Sequence, residues 1–117
     1  DRLTVAIRTH LYVSEILRSW FYFSYMESRH LNAREKSAAI ESERATESLF
    51  RNLIAQGQDA QRYRDDVDAL MVAALIKAML ADWYLKRGKY RERGINVEDY
   101  ADSLLAIINT HLQDDRA

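Results

Sequence analysis

Three observations predict an all-α fold, an antiparallel bundle of helices. Proline is absent and glycine occurs only three times in 117 residues. Ala, Leu, Glu and Arg are abundant, so the summed helix propensity is high. Apolar residues recur at helical spacing through most of the chain. The length fits a single domain, large enough for a real core.

The first helix is expected over Leu3–His30. Leu3, Ile7 and Leu11 form one apolar row, and Val13, Leu17, Trp20 and Ser24 form another. Near its end the pattern widens into "WFYFSYM", residues 20–26, with five aromatic rings in seven positions. Asn32 with Glu35 three residues on has the spacing of a capping box and opens a second helix, Ala33–Gln56. That helix is polar through "ESERATES" and apolar again at Leu49, Phe50, Leu53 and Ile54. Gly57 is expected to cap its C-terminus. Residues 58–65 read as a loop, with Asp65 or Asp66 as the next N-cap.

The third helix, Val67–Leu85, carries only Asp68, Lys77 and Asp82 as charges. A helix apolar almost all round is either buried or spans a membrane. Nineteen residues with three charges and several alanines do not make a membrane span. One side is therefore expected to face the domain's own core and the other a second copy of the chain. A closing helix starts at Asn96, with Glu98 and Asp99 in its first turn. Its stripe is Tyr100, Leu104, Ile107, Ile108 and Leu112.

Between these helices, Lys86, Arg87, Lys89, Arg91 and Arg93 put five cations into eight positions. Cations in a last turn favour the negative end of the helix dipole, and Asp82 and Lys86 stand four apart in the preferred order. A nucleic-acid surface would want a basic balance over the whole domain, whereas the net charge is −1. The burst is read as a helix ending. Cysteine is absent, which excludes disulfides, thiolate metal sites and cysteine nucleophiles. The first residues lack the basic and apolar regions of a signal peptide, and a cytoplasmic location is expected.

"LIKAMLADWYLKRGKYRERG" followed by "INVEDYADSLLAIINTHL" resembles the end of the regulatory domain in transcription regulators of the tetracycline-repressor (TetR/AcrR) family. "HLYVSEILRSWFYFSYMESRHL" resembles the segment that follows the DNA-binding head in many members. The resemblance spans essentially the whole chain, residues 1–117. It implies the effector-binding and dimerisation domain of a one-component regulator, a repressor by analogy, without the helix-turn-helix head. Asp1 opens in mid-pattern without methionine, which fits a piece of a longer polypeptide. DNA would then be contacted only through the missing head, and a small molecule would shift the two heads of a dimer against their operator.

Enzymatic chemistry is not expected. No Ser-His-acid set or Gly-rich phosphate loop can be assigned. Glu27-Ser-Arg-His30 is a Glu-x-x-His, but di-iron bundles need two such motifs and further glutamates, so no metal or other cofactor is expected. The aromatic run is the best candidate for chemistry, because ligand pockets are mostly apolar with a few polar groups. The expected ligand site comprises Trp20, Tyr22, Phe23, Tyr25 and Met26, with Arg29 and His30 at its mouth for an anionic group. Phe50, Leu53, Met71, Leu75 and Met79 would complete it, for an acyl or aromatic effector. The expected homodimer interface, on the third and fourth helices, comprises Leu80, Trp83, Tyr84, Tyr100, Leu104, Ile107, Ile108 and Leu112. The alternative is a purely structural homodimerisation domain with no ligand.

Overall fold

The computed structural model describes residues 1–27 and 32–113, which form six helices. They are α1 (Arg2–Ile16), α2 (Arg18–Glu27), α3 (Ala33–Asp59), α4 (Ala69–Leu85), α5 (Arg87–Glu92) and α6 (Val97–Leu112). Among the described residues there is no strand, only an isolated bridge between Tyr63 and Gln113. Among the described residues no helix is long and apolar enough to cross a membrane.

The expected first helix is two helices. Leu17 leaves helical geometry at φ −104°, ψ 30°, although its N–H still donates to the Val13 carbonyl at 2.9 Å. A local cause is at hand: the buried Ser14 hydroxyl donates to the Leu11 carbonyl at 2.8 Å, a back-bond that bends helices. The two apolar rows therefore part company. Leu3, Ile7 and Leu11 are core, whereas Val13, Leu17 and Trp20 are exposed. Arg29 and His30, and with them the Glu-x-x-His reading, lie outside the described residues.

Asn32 does cap α3, its side-chain oxygen accepting from the Glu35 N–H at 2.8 Å. Gly57 does not end that helix. It lies two residues inside the end, and the positive φ falls at Gln61 instead. Gly57 is needed for space, because the Tyr63 ring packs directly on it. Beyond Asp59 the chain is stitched by Gln58, whose amide donates to the carbonyls of Arg64 and Val67, each at 3.1 Å. The next N-cap is Asp68, which accepts from Leu70 and Met71, rather than Asp65 or Asp66.

Helix α4 is the centre of the domain. Val72, Ala73, Ile76, Leu80 and Trp83 form its buried side, against which α1, α2, α3, α5 and α6 pack. Phe50 and Ile54 of α3 and Ala101, Leu104, Leu105, Ile108 and Leu112 of α6 complete the core. The outer side of α4 stays in solvent at Leu70, Met71 and Leu75. The overall shape explains this: the Cα extents are 48 × 38 × 17 Å, a slab under two helix diameters thick, since one helix with side chains measures about 10 Å. A slab so thin leaves most helices with an outer face.

The basic burst does more than end α4. Lys86 caps it, and Arg87–Glu92 form a further short turn of helix. Three of the five cations are tied to acids: Lys86 and Lys89 to Asp82 at 3.3 and 3.5 Å, and Arg87 to Glu15 at 3.3 Å. Gly94, at φ 69°, supplies the left-handed residue that lets the chain turn into α6. There Asn96 and Asp99 make a reciprocal capping box.

Candidate functional site

Between α4 and α6 runs an open groove of about 730 Å³. Its walls are apolar, with Val72, Leu75 and Met79 from α4 and Leu104, Ile107 and Ile108 from α6. This follows from the sequence: both helices carry wide apolar stripes, and only part of each is used in packing against α1 and α3. The polar residues along it are Asp82, Tyr90, Tyr100, Ser103 and His111.

An aromatic cluster closes one end. Trp83 stacks on Tyr90 with centroids 5.5 Å apart, and Tyr100 meets the two rings at 5.1 and 5.0 Å. The Tyr90 hydroxyl donates to Asp82 and the Tyr100 hydroxyl to the Met79 carbonyl. Burial pushes the Tyr100 phenol well above its ordinary range. For Asp82, burial works to raise the carboxyl value, but hydrogen bonds from Tyr90 and Lys86 and the charge of Lys89 outweigh it and hold the group ionised to lower pH.

On the other side of α4, α2 is anchored by Phe21. Its ring meets Tyr84 at 5.4 Å and His10 at 5.8 Å, and His10 in turn faces Phe50. His10 Nδ1 is buried without a hydrogen-bond partner. Burial, reinforced by the charge of Lys77, lowers the imidazole's pKa, so the neutral ring is favoured. The neighbours of Phe21 point outward. Trp20, Tyr22, Phe23 and Tyr25 are exposed and Met26 is half-buried.

The residues expected to form one ligand site are thus divided among three places. Tyr22 and Phe23 line a smaller pocket, about 430 Å³, against the end of α4 and the start of α5. Phe50 is fully buried core and Leu53 packs beside it. Leu75 and Met79 line the α4–α6 groove, and Met71 is exposed on the outer side of α4. Ring contacts from Phe21 through His10 to Phe50 link α2, α1 and α3.

The expected interface residues are also divided. Leu80, Trp83 and Leu112 are 0–1 % exposed within the chain's own core, so they cannot form its outer surface. Leu104 and Ile108 sit at the groove floor with only 3 and 4 % exposure. Tyr84 and Tyr100 are half-buried, and Ile107 stands fully outward at 61 %. The α6 stripe reads as one side, but with 100° per residue Leu104, Ile108 and Leu112 turn into the core while Ile107 lines the groove and stays exposed.

Sequence reasoning gave no role to Glu15 or His10, and read Arg87 only as part of a helix ending. Glu15 accepts from the Trp83 indole N–H at 2.9 Å and from Arg87 at 3.3 Å. These partners are 68 and 72 residues away in sequence, beyond any local pattern. Only the Asp82–Lys86 pair was visible from spacing.

Among the described residues no group of three or more His, Cys, Asp or Glu side chains could hold a metal ion. Comparison with curated proteins and with solved structures gave no match. A family model described as "Tetracyclin repressor-like, C-terminal domain" matches residues 1–108, which takes in all of α1 to α5 and most of α6. With that match over nearly the whole of an all-helical chain, the protein belongs to the tetracycline-repressor family, as a C-terminal domain of that kind.

Proposed function

We propose that this domain is the effector-sensing, dimer-forming part of a one-component repressor, acting in the cytoplasm on operator DNA through a helix-turn-helix head elsewhere in the polypeptide. The observation that carries the dimer is the apolar groove between α4 and α6, flanked by exposed Met71, Leu75 and Ile107. Soluble monomers rarely leave so continuous an apolar surface in water. In a two-fold pair, Ile107 and Leu75 of each copy would sit in the other's groove, and Leu80, Trp83 and Leu112 would support the interface from beneath. A stable pair of this kind buries roughly 1,200–2,000 Å² in total.

The effector side is α2. It presents Trp20, Tyr22, Phe23 and Tyr25 to solvent, and it joins α1 through the irregular residue Leu17. A small apolar or amphipathic molecule that binds better when α2 is displaced would shift the dimer between two arrangements of its heads. Sedimentation velocity of the 117-residue chain at micromolar concentration should show a dimer, and a well-behaved monomer would remove the dimer reading. A thermal-shift panel of acyl and aromatic compounds tests the effector reading.

The purely structural alternative is favoured by one feature, the run of ring contacts from Phe21 through His10 to the buried Phe50. A panel without a single stabilising compound would decide for it.

A further inference from the structure

The smaller pocket has a charge arrangement that its neighbours do not use up. Arg87 is held in place: its Nε and Nη2 donate to Glu15 at 3.4 and 3.3 Å, and its guanidinium carbon lies 4.5 Å over the Trp83 ring. Its Nη1 is buried and has no hydrogen-bond partner. A buried donor left unmade is costly, all the more on a charged group. Arg18 lines the same pocket and, among the described residues, makes no ion pair. Around the two arginines stand the hydroxyl of Ser19 and the rings of Tyr22, Phe23 and Tyr84.

The charges set the ligand class. Glu15 neutralises one arginine and leaves one positive charge uncompensated, together with an Nη1 donor that has no hydrogen-bond partner in the protein. A monoanion balances this. A phosphate monoester would bring about −1.5 to −2 near neutrality and leave excess negative charge beside Glu15. The volume, about 430 Å³, lies at the small end of the roughly 300–1,000 Å³ typical of ligand sites. Aromatic walls then favour a ring or short chain as the body.

We infer that the pocket between α2 and the α4–α5 junction binds a small aryl or aliphatic carboxylate, with Arg87 Nη1 and Arg18 holding the carboxylate and the Tyr22, Phe23 and Tyr84 rings flanking its apolar body. This rests on the reading of the domain as effector-binding and gives that effector its chemical class. A ligand so placed touches α2, α4 and α5 together, so it couples the aromatic helix to the end of the helix that borders the groove.

The test is isothermal titration of the 117-residue chain with 4-phenylbutyrate, its neutral amide and phenyl phosphate. The carboxylate should bind at least about tenfold more tightly than the amide, as expected when a charge-assisted pair is lost. It should also bind more tightly than phenyl phosphate. Arg18→Gln, on the half-exposed start of α2, should weaken carboxylate binding by about tenfold and leave the amide unchanged, with an unaltered circular-dichroism melt as the check on folding. Equal binding of acid and amide would overturn the inference and leave the effector reading standing. Tighter phenyl phosphate would overturn the carboxylate assignment. Binding of none of the three also overturns it, and the effector reading then rests on the wider compound panel alone.

Discussion

The ring of Tyr63 lies over Gly57 so closely that a Cβ built on the glycine would stand 2.2 Å from Tyr63 Cδ2. The same tyrosine donates its hydroxyl to Asp1 at 2.7 Å, so the ring locks the end of α3 to the start of α1. Ordinarily Gly→Ala within a helix gains about 1 kcal/mol. Here Gly57→Ala should instead cost about 1–3 kcal/mol in urea unfolding, since the ring must move and its hydrogen bond is lost. In a Tyr63→Ala background the same change should become stabilising. Failure of the sign to reverse would refute the packing account.

The groove makes a pair of neighbouring isoleucines behave in opposite ways. Ile107→Glu places a charge on the outer face and should yield a folded monomer by sedimentation, with its helical circular dichroism intact. Ile108→Glu buries the charge in the core and should unfold the chain, at a cost of about 4 kcal/mol or more. Matching outcomes for the two variants would mean that the groove is not the interface.

Asn96 and Asp99 close the N-terminus of α6 with bonds of 2.8 and 3.1 Å. Asn96→Ala should lower stability by about 1 kcal/mol, and Asn96→Asp should recover most of it. An unchanged melt for the alanine variant would show that the α5–α6 turn holds the helix without its cap.

His10 gives stability a pH dependence whose sign can be worked out. Its pKa in the fold lies below the ordinary 6.5, because burial and then Lys77 disfavour the imidazolium. The unfolded chain therefore takes up this proton at higher pH than the folded one. Its contribution is complete above 6.5 and is lost as pH falls from there toward the folded value, with a slope of at most about 1.4 kcal/mol per pH unit. Asp82, held below its ordinary value, acts in a separate and more acidic window. Denaturant titrations at pH 7.5, 6.5 and 5.5 should show the unmodified chain losing more stability than His10→Leu. Parallel losses would count against a neutral buried His10.

Helix existence was legible in the sequence wherever local chemistry decided it. The Asn32 and Asn96 caps and the buried row Leu3, Ile7, Leu11 needed only spacing. What the sequence hid was set by partners distant along the chain. Gly57 reads as a terminator until Tyr63 is seen to need its space. Ser14 gives no sign that its hydroxyl turns back on Leu11 and parts α1 from α2. The candidate sites suffered most: an aromatic run does not say which ring points inward, and of the run only Phe21 does so fully enough to anchor the helix. Likewise Leu104, Ile107 and Ile108 share one stripe by eye, and only the position of α1 and α4 decides which of them the core takes.

The two tryptophans occupy opposite extremes, Trp83 at 0 % and Trp20 at 62 % exposure. Trp83 emits from a dry site beneath Arg87 and beside Tyr90, so its spectrum should be blue-shifted and closed to iodide. Trp20 emits from water on α2, red-shifted and open to the quencher. The domain thus contains two optical channels, each separable by single Trp→Phe replacement. One reports whether the core is intact, and the other whether α2 has moved. A compound that changes iodide access to Trp20 while leaving the Trp83 band fixed would mark motion without melting, read directly in the unlabelled protein.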